Sequence, residues 1–302
     1  GSGATNHTSG GMLVTVPGTY PEKKAPAEDM KLLNAIGEVG TKTTGYVHVN
    51  IYDTFIVDKD HYSSGAFDDY CYETQGIYAM TLELWNLDAR CGVKFRWDNK
   101  PWEDPDAENF AKRLAWVKEN APEMFKPWEE FDHPQLGKVE IGGFNFKFTI
   151  QNPPAKLLAQ ECEKITAYMV EWAQAMPRLV IDNVKATDLG GDVWKVEAVV
   201  SNAGYLPTYL SQKAKMLKVA KTVKVSIDCA DKVIGGEAEA DIGDLSSYGL
   251  MPTGARFYGN FATLDGPEIS KKVTWLLKGN PGSVTVTAST PKGGVAVKTI
   301  KL

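Results

Sequence analysis

At Pro177 the hydrophobic pattern changes period, and this change constrains the fold more than any other feature. Before it, Leu158, Cys162, Ile165, Met169, Trp172 and Met176 recur at spacings of four and three. That is the repeat of a helix face packed on a core. Pro153-Pro154 opens this helix and Pro177 ends it. After it, residues 179–184, 194–200, 223–228, 273–277, 283–288 and 295–300 read as short strands between Gly, Asn and Pro turns. Helical spacing returns there only as a turn near 209–219. The pattern predicts an α/β domain over 1–178 followed by an all-β sandwich over 179–302. A chain of 302 residues is long enough for both.

The first domain mixes both periods. Residues 12–16 are an apolar run closed by Pro17-Gly18, hence a strand and a turn. Met30, Leu33 and Ile36 predict a helix over 27–37, with Glu28 and Asp29 suiting its N-terminus. Residues 46–51 read as extended, and 109–120 as a helix with Phe110, Leu114 and Val117 on one side. Pro122, Pro127 and Pro134 break the segment after that helix. Phe144, Phe146 and Phe148 alternate within 138–150, which predicts a strand or hairpin arm.

Residues 77–85 read as a strand with Ala79, Thr81, Glu83 and Trp85 on one face and Met80, Leu82 and Leu84 on the other. A carboxylate inside such a strand is costly to bury unless a cation or hydrogen bonds compensate it. The chemistry that best accounts for one there is a metal-bound water and its reaction. A structural ion pair is the alternative. Of the four histidines, His48 has no carboxylate at a helical ligand spacing. His133, in Asp-His-Pro, suits a structural hydrogen bond. His7 stands out, because Ser9-Gly10-Gly11 beside it lets backbone approach a ligand closely. Asn6-His7-Thr8 also matches a glycosylation sequon, a weak three-residue signal.

The remaining composition excludes more than it assigns. Net charge is −5 with no long basic run, which argues against a nucleic-acid partner. No apolar run is long enough to span a bilayer. Cys71, Cys91, Cys162 and Cys229 form no C-x-x-C pair, so a cysteine zinc site is not indicated. Cys162 falls on the helix stripe as a core thiol, and spacing does not decide a Cys71–Cys91 disulfide. Trp97, Trp102, Trp116 and Trp128 fit core packing better than a sugar-binding surface.

Three segments together resemble the zinc carboxypeptidases, the carboxypeptidase A-like metallopeptidases. His7-Thr8-Ser9-Gly10-Gly11, followed by a strand and Pro17, is similar to the segment bearing the third zinc ligand. The stretch from Asp69-Tyr70 through Gln75-Gly76-Ile77 to Thr81-Leu82-Glu83-Leu84-Trp85 is similar to the catalytic glutamate segment. His133-Pro134-Gln135-Leu136-Gly137-Lys138-Val139-Glu140-Ile141-Gly142-Gly143 and the β-sandwich resemble a bacterial branch. The resemblance implies a mixed-sheet α/β domain with its site at the strand ends. It implies His7 as a zinc ligand and Glu83 as the general acid/base. The substrate would be the C-terminal peptide bond of a peptide. A secreted or periplasmic location is compatible with it.

The family's His-x-x-Glu ligand motif occurs nowhere in this sequence. The resemblance therefore implies a C-terminal half of a catalytic domain plus its sandwich. The upstream half would be missing and the strand leading into His7 cut off. A chain of this kind is expected to bind zinc poorly and to be inactive alone, since one histidine cannot complete a zinc site. A family tyrosine that closes over substrate falls on Tyr62 in one register and on His61 in another. The specificity position falls on Phe67, implying an apolar C-terminal side chain, or on Asp68, implying a basic one. Asp68 is slightly preferred, and Asp68-Asp69 as a simple helix cap is the plain alternative. Two other functions are open: a non-catalytic binding or structural module, and a related zinc deacylase.

Overall fold

Short β-branched and apolar runs build a four-stranded sheet in the first part of the chain. Its strands are β1 (Gly3–Thr8), β2 (Met12–Thr15), β3 (Val47–Asn50) and β4 (Ala79–Leu84), in the order β1-β4-β2-β3. β4 runs parallel to β1 and antiparallel to β2, while β3 runs parallel to β2. The computed structural model describes residues 2–55, 60, 62–94, 106–251 and 267–302. The strand expected to be cut off ahead of His7 is present as β1, at the edge of the sheet. Gly3, Ala4 and Asn6 carry little strand propensity, so pairing with β4 more than composition makes this segment extended.

Helices α1 (Ala27–Thr44) and α6 (Ala155–Gln174) share one apolar core with the sheet. Leu33 and Ile36 pack there with Leu13, Met80, Leu82, Ile165 and Tyr168. α1 runs past Gly37 to Gly45, which caps it at φ 75. Gly37 is a packing glycine, because a Cβ there would lie 2.5 Å from the His48 ring. His48 in turn hydrogen-bonds Thr15 through Nε2 at 3.0 Å, and burial lowers its pKa.

α6 is turned away from the stripe that periodicity suggests. Glu161, Ile165, Tyr168 and Trp172 are buried, whereas Leu158, Cys162 and Met169 are exposed. The cause is Glu161, whose carboxylate accepts from Arg90 Nη2 at 2.6 Å and Tyr46 Oη at 2.5 Å and pairs with Lys164 Nζ at 2.7 Å. Burial alone would raise its pKa; those three partners hold it below the ordinary value. Cys162 is thus a surface thiol rather than a core one, and Cys71, Cys91 and Cys229 are free as well.

The intervening elements are α2 (Ile51–Thr54), α3 (Phe67–Gln75), α4 (Leu87–Cys91), α5 (Ala107–Asn120), and a hairpin of β5 (Phe125–His133) and β6 (Gly137–Phe144). The phenylalanine alternation does not continue as strand beyond Phe144. Phe146–Phe148 forms a 3-10 turn, with the Asn145 side chain accepting the Phe148 N–H.

Two antiparallel sheets follow, as the change of period at Pro177 suggests. One comprises β7 (Leu179–Asp188), β8 (Val193–Asn202), β10 (Val233–Gly235) and β12 (Ser270–Lys278), in the order β10-β12-β8-β7. The other comprises β9 (Val223–Ile227), β11 (Glu239–Gly243), β13 (Ser283–Thr290) and β14 (Gly294–Lys301), in the order β11-β9-β13-β14. Their inner faces form one core, including Val196, Val200, Val225, Trp275 and Val286. β10 and β11 escape the sequence pattern because they are short and half-exposed. The whole is α/β followed by β-rich.

Asp29 ties the two parts together. It is fully buried on α1 and accepts from Tyr72 Oη at 2.7 Å and Tyr78 Oη at 3.1 Å. It also accepts the N–H groups of Gln212 and Lys213 at 2.6 and 3.0 Å, at the start of α7 (Gln212–Met216). Beside it, Gly76 ends α3 at φ 58 and approaches α7 so closely that a Cβ would lie 2.4 Å from Ala214 Cα. Asp29→Ala is expected to leave two buried phenols and two half-buried N–H groups unmatched and to lower unfolding free energy by about 3 kcal/mol, read from urea midpoints. An unchanged midpoint would show that the joint is held by other contacts.

Candidate functional site

Register brings His7 and Glu83 together. β1 and β4 are parallel, and His7 is the direct partner of Glu83 near the C-terminal end of both strands. His7 Nδ1 lies 3.1 Å from Glu83 Oε1 and 3.3 Å from Oε2. The Glu83 side chain is 8% exposed and that of His7 67%, so the pair joins the protein interior to solvent. Met12 flanks Glu83 on its other side. Burial raises the Glu83 pKa, the His7 imidazole opposes that rise, and Asp68 adds to it. The arrangement is a carboxyl that burial inclines to hold its proton, within hydrogen-bond distance of one imidazole.

The chain turns sharply just after Glu83. Trp85 has φ 66 and is fully buried. Its N–H donates to Tyr46 Oη at 2.7 Å, its carbonyl accepts from Gly10 N at 2.8 Å, and its indole Nε1 donates to the Thr149 carbonyl at 2.7 Å. Three hydrogen bonds thus hold a backbone conformation that a bulky residue rarely adopts. Tyr46 is itself anchored by Glu161, so the turned helix face of α6 supports the end of β4.

A cavity of ≈ 650 Å³ opens beyond the strand ends, with His7 and Glu83 in its lining. α4 and α5 add Asp88 and Arg113, paired by Nε–Oδ1 and Nη2–Oδ2 contacts of 2.7 and 2.9 Å. The hairpin adds Trp128 and Phe144. Sequence spacing does not single out these wall residues. The aromatic density of 110–150 is visible there, but not its direction.

The other expected site residues lie apart from this cavity. Tyr62 is exposed, with its ring centroid 6.4 Å from that of Tyr52, and does not line it. His61 lies outside the described residues, as do Trp97 and Trp102. Trp116 packs on Trp85 at 6.1 Å. Phe67 is exposed at the start of α3. Asp69 accepts the Gly18 N–H at 3.0 Å. Asp68 is 1% exposed, and neither of its oxygens has a hydrogen-bond partner of ordinary geometry among the described residues. Neither aspartate caps the helix by side chain, because the N-cap is Ala66. His133 Nδ1 accepts the N–H groups of Gln135 and Leu136 at 3.2 Å each, a structural role in the hairpin turn.

Zinc needs three protein donors and an open position. His7 is a single imidazole, and no third His, Cys, Asp or Glu among the described residues joins it and Glu83 in a group able to hold a metal. These residues do not by themselves fit the ion.

Comparison with known proteins adds a domain family and little else. Residues 178–301 match a domain of unknown function, DUF8731. No curated protein sequence matches this chain. Structural similarity is found to a GH3 beta-glucosidase of Bifidobacterium adolescentis, at 17% identity over 42% of this chain and 17% of that one, with a TM-score of 0.19. Beta-glucosidase 3B of Thermotoga neapolitana is similar at 10% identity, over 41% and 16% of the two chains, with a TM-score of 0.19. DesR, a beta-glucosidase of Streptomyces venezuelae, is similar at 11% identity, over 42% and 15%, with a TM-score of 0.19. The matched region is thus less than a fifth of each enzyme's length, and likeness of this size carries no inference about fold or activity.

Asp68 generates a pH test. Burial first, and then the charge of Asp69, raise its pKa from 3.8 to about 6. A carboxyl whose folded pKa is raised favours the fold below its unfolded value, and that advantage is lost as pH rises through the folded one. Asp68→Asn removes the group. The variant is expected to gain on wild type between pH 4 and 6 and then level off, by roughly 2–4 kcal/mol. Urea unfolding at pH 4.0 and 7.5 checks this, and parallel pH profiles would sink it.

Proposed function

We propose that the α/β part of this chain is the C-terminal portion of a carboxypeptidase A-like metallopeptidase domain, acting on the C-terminal bond of peptides. The observation that carries the reading is the placement of His7 opposite Glu83 on adjacent parallel strands, at the mouth of a cavity. Glu83 is the acid/base group. Its carboxylate takes a proton from the attacking water and, once the amide C–N bond breaks, returns it to the leaving amine. A raised pKa suits both transfers. His7 is a metal ligand in this reading, and the remaining ligands come from residues outside this sequence. The resemblance would give Asp68 the recognition of a basic C-terminal side chain, but that carboxyl is buried and does not line the cavity.

The donor count favours one other reading, a non-catalytic module derived from the same family, because only one histidine among the described residues is at the site. Two measurements separate them. Residues 1–302 alone are expected to show no stoichiometric zinc binding by calorimetry. Joined to an upstream segment bearing a His-x-x-Glu motif, the protein is expected to bind one zinc and release C-terminal residues. Glu83→Gln in that protein should keep the metal and lose at least a hundredfold in kcat. Full activity in that variant would remove Glu83 from its role, and failure to bind zinc would favour the module.

A further inference from the structure

A second cavity, of ≈ 560 Å³, shares only Asn86 with the lining of the first. Arg90 from α4 and Gln160, Glu161 and Lys164 from α6 line it, with the chain where α1 passes into β3. Its charges do not cancel. Glu161 is the one carboxylate in the lining, and Arg90 and Lys164 both turn to it, at 2.6 and 2.7 Å. Two cations against one carboxylate leave the cavity positive, in a chain whose net charge is −5.

Glu161 is 2% exposed and also accepts the Tyr46 hydroxyl, so both of its oxygens are engaged. The cations are not used up in the same way. Arg90 meets Glu161 through Nη2 alone, and its side chain is 35% exposed. Arg113, by contrast, grips Asp88 through Nε and Nη2 together. The other N–H groups of Arg90 have no acceptor among the described residues, and neither has the exposed Gln160 amide. Rings hold both cations in place: the Arg90 guanidinium lies 5.6 Å from the Trp85 centroid and Lys164 Nζ 4.2 Å from that of Tyr46. Cations fixed in this way offer charge-assisted hydrogen bonds without first having to be ordered. Val47, Ala89 and Val93 put apolar surface beside them. An inorganic ion leaves that surface to water, whereas a short aliphatic carboxylate covers it while its two oxygens meet the guanidinium fork. The volume suits a ligand of that kind.

We propose that this cavity is a binding site for a small organic carboxylate, held by Arg90 and Lys164. The site is independent of the peptidase reading, since neither His7 nor Glu83 lines it. The test is NMR-detected titration of residues 1–302 with isovalerate, with isovaleramide as its uncharged isostere, and with inorganic phosphate. Isovalerate is expected to bind roughly fivefold or more tightly than either of the others. Arg90→Gln is expected to weaken it about tenfold or more, and Lys164→Gln about threefold to tenfold. Gln160→Glu adds a negative charge at an exposed position outside the Glu161 cluster, and is expected to weaken binding about fivefold with an unchanged urea midpoint. That variant and Lys164→Gln decide the matter if Arg90→Gln does not fold. Equal affinity for acid and amide, tighter binding of phosphate, or wild-type affinity in both Lys164→Gln and Gln160→Glu would overturn the proposal.

Discussion

Six backbone pairs between β1 and β4 hold the candidate site in place. Side chains in a sheet alternate faces, so a slip of one residue would send His7 to the opposite side from Glu83. The parallel direction matters equally, because it brings the C-terminal ends of both strands to one end of the sheet, where open α/β sheets bind ligands. Neither residue is unusual alone. Their chemistry arises from a shared register and from unequal exposure: a carboxyl pushed toward its protonated form, in contact with an imidazole that reaches water.

The end of β4 is held from behind. Glu161 fixes Tyr46, Tyr46 fixes the Trp85 amide, and Trp85 turns the chain toward the cavity. This buried carboxylate is well matched, with two cations and a phenol around it. Asp29 follows the same logic at the junction with the sandwich, with neutral donors only, and there burial still outweighs its four hydrogen bonds and raises its pKa. Asp68 is less well matched: its oxygens have no partner of ordinary geometry among the described residues, and its pKa rises. The three acids show that burial sets no fixed pKa: the partners each carboxyl finds decide how far it moves.

Element type was largely legible in the sequence where apolar spacing is regular. The 3.6 to 2 switch at Pro177 corresponds to the end of α6 and the start of β7. Legibility failed where tertiary contacts decide. The face of α6 turned because Glu161 found partners on α4 and at Tyr46, distant in sequence. β1 has only Thr5 and Thr8 as strand formers and exists largely through its pairing. Gly37 resembles a helix end and is instead the space left for His48. His7 and Glu83 were identified through motif resemblance, whereas the aromatic wall of the cavity depends on how a hairpin folds over the strand ends, which no spacing rule encodes.

Among the described residues β1 is the outermost strand of its sheet, and it carries His7. Its outward-facing amides and carbonyls form an unzipped seam, the backbone template on which another extended segment could dock. Neighbouring strands lie about 4.8 Å apart. Whatever polypeptide came to lie along that seam would therefore be the imidazole's nearest new neighbour, so the open side of the sheet and the side on which His7 can acquire companions are one and the same.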